Sequence, residues 1–376
     1  MDRTFEIVRF YIHDLGRAVT FSKVPASLLS SEELKNRGRP GIRRDTPDSL
    51  RLPAPLRLSM VDAELQAGPS FSVEARLYDD GALTVVVRES VKCAFEELES
   101  MVHRPVVSEG GRTLCVDEWA AVLFRRIHRS IAEAIVSPAA EENRDSETYT
   151  AFCLRDCPEG AAAFLRKNRQ AAAALLIGEA PGSSLHEEQI EAALGRPFSY
   201  YSDDAAVFDL DRCIIVDPSG DYEDVLLIAE NASYRLLELR ALDRLLDLRL
   251  DEAEKDLIGY GITKRAGVLK GASPRTKFAR IQALRFEALF ILENLENSSK
   301  IIGDFYLCQI YDRLCVIFNT EEWKRSVERR LDILESVYDM AKIDSAERRT
   351  VMLEIAFIAV CVVIPAIQIW VAFLVD

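Results

Sequence analysis

The feature that most constrains this chain is the run from Ile355 to Val375, 21 residues without a charge, followed by Asp376. Thirteen of them are Ile, Val, Leu or Phe, and about 20 apolar residues in a helix match the thickness of a bilayer. Each such side chain contributes about −0.3 to −0.6 kcal/mol near the bilayer centre, so the run predicts a single C-terminal transmembrane helix. Ile355, Ile364, Pro365, Trp370 and Val375 mark the expected membrane anchor, with Trp370 near the headgroups. Arg348 and Arg349 precede the run and only Asp376 follows. That asymmetry places the bulk of the chain on the cytoplasmic side. A single-pass, tail-anchored protein of a bacterial inner membrane is expected, with the lipid bilayer as one partner. The segment from Met1 to Glu6 has no basic stretch leading into an apolar core, so no cleaved export signal is expected.

Charge and cysteine usage narrow the partners. Sixty-one acidic against 47 basic residues give a net charge of −14, which disfavours nucleic acid because phosphates require clustered Lys and Arg. Arg125, Arg126 and Arg129 form a local basic cluster that reads as a solvated helix face. Eight cysteines are scattered without a repeating interval, and Cys153 and Cys157 are not spaced as a zinc or thioredoxin pair. Reduced, mostly buried thiols are expected, with no metal site and no cofactor.

Patterning divides the chain into an α+β part and a helical part. One or two small mixed α/β units are expected, at residues 1–138 and 148–230, then a long coiled-coil-like helical stalk at 231–343 and the anchor at 344–376. Phe5–Ile12 is apolar and β-branched enough for a strand, and Ser30 starts a short helix before a loop over Arg37–Pro55. Phe71–Leu77 and Ala82–Arg88 flank Asp79-Asp80-Gly81, which predicts a hairpin. Helices are expected over Ser90–Val102 and Val116–Ile135. The second unit repeats the order, with a strand at Thr148–Leu154, helices at Gly160–Ile177 and Leu185–Leu194, and strands at Ala205–Asp209 and Cys213–Asp217. Beyond Asp221, Leu236, Leu239, Leu242, Leu246 and Leu250 recur at helical steps, and Gly259–Pro274 interrupts them. Two further seams follow. One runs from Phe278 to Leu295, and the other is Trp323, Val327, Leu331, Leu334 and Tyr338, an expected homo-oligomer seam. Asp344 and Glu347 predict a break and a fresh helix start before the anchor.

The strand pair Phe198–Asp217, the helix Val327-Glu328-Arg329-Arg330-Leu331-Asp332-Ile333-Leu334 and the head of the tail, Leu353-Glu354-Ile355-Ala356-Phe357-Ile358, resemble a known family. It is the family named for a role in meiotic nuclear division, also known as an uncharacterised domain of mitochondrial and bacterial membrane proteins. The resemblance covers about residues 148–376. It implies a membrane-anchored, self-associating protein without established catalysis.

No phosphate-cradling, dinucleotide, zinc-protease or nucleophile-elbow motif occurs, and no catalytic residue is assigned. The favoured reading is a self-associating scaffold or interaction factor with a cytoplasmic head and an unknown protein partner. The alternative is a membrane-tethered enzyme or a sensor of a small ligand or divalent cation, with its site between the two α+β units. Tyr200, Tyr201, Asp203 and Asp204 are the candidate ligand-binding residues. Asp209, Asp211 and Asp217 extend that acidic cluster, and acids around short strands also serve simply as solvated turns.

Overall fold

A computed structural model describes residues 2–29, 55–60, 70–138, 145–263 and 304–375, with single positions at 63–68 and 282–293. For parts of the longest helices it describes the backbone alone. The elements of the first half are β1 (Arg3–Asp14), β2 (Gly16–Val19), β3 (Leu56–Leu58), β4 (Phe71–Leu77), β5 (Ala82–Cys93), α1 (Leu98–Val102), β6 (Val107–Glu109), β7 (Arg112–Leu114), α2 (Val116–Ser130) and β8 (Ile135–Pro138). Then come β9 (Ser146–Leu154), α3 (Ala161–Lys167), α4 (Arg169–Ile177), α5 (Glu187–Leu194), β10 (Ala205–Phe208), β11 (Arg212–Val216), α6 (Glu223–Thr263), α7 (Phe305–Ile317) and α8 (Thr320–Val375). The chain divides into two compact units, Met1–Ala241 with Ile291–Lys324, and Leu242–Phe290 with Arg325–Asp376.

The first unit is built on a seven-stranded sheet in the order β10-β11-β9-β1-β5-β4-β3. β1 lies inside it, with β5 and β9 antiparallel on its two edges, and because helices cover both its faces its run from Ile7 to Ile12 is buried without a break. β11 joins β9 in parallel, with Val216 opposite Leu154. Side chains alternate between the two faces. Val8, Phe10 and Ile12 pack with Ile215 against Tyr222, Leu226 and Ala229 of the α6 region and Leu307, Ile310 and Leu314 of α7. On the other face Tyr11, Val85 and Val87 meet Trp119 and Leu123 of α2. Phe5, Ile7 and Ile214 meet Leu98 of α1, Phe164 of α3 and Leu175 of α4. Helices thus cover both faces of one sheet.

Several local expectations match these elements. β4 and β5 form the hairpin, and Gly81 adopts φ +100° there, with the place of a Cβ only 1.9 Å from the Gly16 carbonyl oxygen. A side chain has no room in that turn. Where a helix was expected from Ser90, β5 instead continues to Cys93, because its pairing with β1 extends to Arg3. The helix expected over 160–177 is split at Asn168 into α3 and α4. Strands from before residues 139–144 (β1, β3, β4 and β5) and after them (β9, β10 and β11) belong to one seven-stranded sheet, so units drawn at 1–138 and 148–230 share one core. The helix start near Ser30, the loop at 37–54 and the Gly- and Pro-rich stretch at 264–274 lie outside the described residues.

The second unit is helical. Leu242, Leu246, Leu284, Ala288, Val327, Leu331 and Leu334 are buried in it. Ser326 donates to Asp243 at 3.0 Å, Arg330 pairs with Asp243 and Asp247 at 2.8 Å, and Arg285 pairs with Glu335. The expected oligomer seam is therefore occupied within one chain at Val327, Leu331 and Leu334. Trp323, in the first unit, is partly buried against the core there, with the Arg240 guanidinium 5.6 Å from its ring. The side chain of Tyr338 lies outside the described residues.

The expected membrane segment requires correction. Among the described residues no helix is long and apolar enough to cross a membrane. α8 is continuous from Thr320 to Val375, with no break at Asp344, and it carries charges as far as Glu354. Ile355 and Ile364 are exposed, and the side chains of Pro365, Trp370 and Val375 lie outside the described residues. The fold is a mixed α/β sheet unit with a helical unit. The single-pass anchor, the tail-anchored topology and the inner-membrane location inferred from the run are overturned with the span.

Candidate functional site

A cavity of about 150 Å³ opens where β11 ends and α6 and α7 begin. It lies past the carboxyl ends of the parallel pair β9 and β11, the end of a strand at which open α/β sheets place ligands. The tight turn Asp217-Pro218-Ser219-Gly220-Asp221 forms one side. The Asp217 carboxylate accepts from the Ser219 amide at 2.8 Å and its hydroxyl at 2.7 Å. Tyr200 and Tyr201 form another wall. Their amides both donate to Asp204, at 3.0 and 2.9 Å, which fixes the turn that carries the rings. α7 closes the third side, where Asp304 caps the helix by accepting from the Leu307 amide at 2.9 Å. Tyr306, one residue past the first position of that helix, points its ring at Tyr200, with centroids 5.3 Å apart and edge to face.

The lining is one-sided in charge. Asp204, Asp217, Asp221, Asp224 and Asp304 contribute carboxylates, and no Lys, Arg or His lines the cavity among the described residues. Among the described residues, the carboxylates of the exposed Asp221 and the half-buried Asp224 have no hydrogen-bond or ion-pair partner. Burial, then Asp221, Asp304 and Glu223, pushes the Asp224 carboxyl above the ordinary range. Burial also raises Asp204, against the two amides that hold it down, and Asp217 and Asp203 add to the rise. Tyr306 is raised by burial and by Asp204, Asp217 and Asp304. The arrangement is an open negative pocket, without a cation among its described lining residues, bordered by the exposed rings of Tyr200 and Tyr201 and by Tyr306, with Val225 and Leu307 as apolar lining.

Tyr200, Tyr201 and Asp204 line the cavity, as the sequence suggested, but Asp203 does not; its carbonyl accepts from the Ala161 amide at 3.0 Å. Asp209 and Asp211 sit at the opposite end of the β10–β11 hairpin from Asp204 and Asp217, roughly 13 Å away for four residues of strand. The acidic cluster therefore splits, and among the described residues no three His, Cys, Asp or Glu converge as a metal site would require. The cavity lies at one end of the shared sheet rather than between two α+β units. Sequence reasoning missed Asp221, Asp224, Asp304 and Tyr306. The signal for the last two was present, since Asp304 precedes the helical spacing of Leu307, Ile310 and Leu314.

Elsewhere, Arg125, Arg126 and Arg129 are exposed on α2, with Arg126 paired to Glu109. No disulfide joins any of the eight cysteines.

With the sheet, its flanking helices and the cavity in view, comparison with known proteins places most of the first unit. The family model for the N-terminal domain of the uncharacterized protein MJ0711 matches residues 4–223. The chain belongs to that family. The matched segment begins in β1 and ends at the first residue of α6, so Asp224, Asp304 and Tyr306 lie beyond it. The curated relative is uncharacterized protein MJ0711 of Methanocaldococcus jannaschii, 26% identical over 216 residues. The match covers 57% of this chain and 63% of the relative, so the chain spans less than two thirds of that protein. No solved structure matches. Nothing in that family's description bears on the resemblance to the meiotic-nuclear-division family, and its name states no activity.

Proposed function

We propose that the chain is a small-ligand-binding protein, a sensor or carrier module whose site is the acidic, tyrosine-walled cavity. The single observation that supports this most is the half-buried Asp224, which with the exposed Asp221 faces a cavity whose described lining holds no cation. Carboxylates that serve only stability are normally paired or fully solvated. A structural role is already met by Asp204, Asp217 and Asp304, whose oxygens hold backbone amides. Native mass spectrometry of the purified full chain tests the reading. A retained small molecule is expected, lost in the variant carrying Asp221→Asn and Asp224→Asn. A chain that is repeatedly empty, and that no compound in a thermal-shift screen stabilises, contradicts it.

A second reading, a self-associating interaction factor, is supported by the apolar side chains exposed along α8, including Leu353, Phe357, Ile358 and Val363. Contiguous apolar surface of this kind marks contact sites. Light scattering is expected to show an assembly that Phe357→Glu with Ile358→Lys dissociates. A strictly monomeric chain at high concentration rules it out.

A further inference from the structure

We propose that the ligand of the cavity is a short aliphatic polyamine, a chain of methylenes carrying two or three ammonium groups; this rests on the ligand-binding reading above. Sign is the first argument. Five carboxylates, with no cation among the described lining residues, repel any anion.

The distribution of that charge separates an organic cation from a metal ion. A hard divalent cation takes six to eight oxygens at about 2.3–2.6 Å. Here no three acids converge among the described residues, and the oxygens of Asp204, Asp217 and Asp304 are engaged by backbone amides. Acids spread around the walls suit a ligand whose positive charge is also spread along its length.

The remaining surfaces fit the rest of such a molecule. The rings of Tyr200 and Tyr201 lie 4.8 Å apart at 81°, and those of Tyr200 and Tyr306 lie 5.3 Å apart at 66°. Tyr200 and Tyr201 are exposed at the cavity, and tyrosine faces attract ammonium groups. Val225 and Leu307 offer apolar contact for methylenes. A water needs about 10–15 Å³ of such space, so the 150 Å³ cavity holds on the order of ten non-hydrogen atoms. That is the size of a di- or triamine.

Isothermal titration of the full chain with spermidine, 1,4-diaminobutane, tetramethylammonium, magnesium chloride and inorganic phosphate tests the proposal. One spermidine site is expected, weakened at least tenfold by Asp221→Asn with Asp224→Asn. Tyr306→Leu is expected to weaken it several-fold, and Tyr306→Phe to leave it nearly unchanged. Magnesium at equal concentration is expected not to compete. Because the chain carries a net charge of −14, a variant with the same charge loss at exposed sites, Asp251→Asn with Glu254→Gln, is the control and is expected to bind spermidine like the parent chain. Equal weakening in the two double variants would mean diffuse attraction and would overturn the proposal, as would silence with spermidine. A neutral or anionic compound found at the cavity by mass spectrometry, and lost with Asp221 and Asp224, would leave the ligand-binding reading standing and sink the polyamine class alone.

Discussion

Asp224 and Glu230 lie six residues apart on the same helix, yet their surroundings are opposite. Glu230 is almost wholly buried against the sheet, paired with the Arg76 guanidinium and accepting from the Tyr78 hydroxyl at 3.0 Å. Asp224 faces a cavity lined with other acids and, among the described residues, has no partner of opposite charge. The helix tolerates both because its first turn favours negative charge, whereas one turn further on a buried carboxylate needs a cation. The pairing of Glu230 locks α6 onto β4. The isolation of Asp224 is a local violation of charge pairing, and such violations concentrate where a protein binds something.

The largest expected effect breaks the lock. Glu230→Ala leaves the Arg76 guanidinium buried without its main partner and is expected to cost about 3–5 kcal/mol, measured by urea unfolding. Replacing both residues together, Arg76→Met with Glu230→Leu, is expected to cost far less than the single change, because no orphan charge remains. A single variant that costs under about 1 kcal/mol would show that the pair does not hold the helix.

A smaller effect sharpens the same contrast further along α6. Glu238 pairs with Arg235 at 2.5 Å, and burial, held back by Arg235, raises its carboxyl to about 7. The folded value lies above the unfolded one, so the stability this group contributes is present below its unfolded value and lost as pH rises through about 7. Glu238→Gln removes that dependence. Relative to the parent chain, the variant is expected to gain on the order of 2 kcal/mol between pH 5 and pH 8, read from urea midpoints at each pH. A constant difference across that range would contradict the assignment.

The two regions also differ in how far their residues could be read from the chain. The β4–β5 hairpin was visible in alternating apolar residues around Gly81, and β1 in its unbroken apolar run. Tyr200, Tyr201 and Asp204 stood out because aromatic and acidic residues crowd one short turn. The lock between Arg76 and Glu230 was invisible, since its partners are 154 positions apart and nothing local specifies their meeting. The same holds for the insertion of β9 beside β1, which merges two stretches that look separable, and for Asp304 and Tyr306, which reach the cavity only when α7 packs on the sheet. At the other extreme, apolar composition at 355–375 carried the membrane expectation by itself. Apolarity gives no information about whether the run starts a separate helix or, as here, continues a charged one.

The smallest expected effect is the most direct test of the contrast between paired and unpaired carboxylates. Asp224 is partly exposed, so solvent screens most of its repulsion, and Asp224→Asn is expected to change the stability of the ligand-free chain by no more than about 1 kcal/mol. The sign matters more than the size. If Asp221, Asp304 and Glu223 only repel Asp224, the urea midpoint of the Asn variant rises above that of the parent chain at pH 7, and the gain vanishes at pH 3, where the carboxyls are protonated. A midpoint that falls at pH 7 would mean that the carboxylate is satisfied in the free protein and is not waiting for a cation.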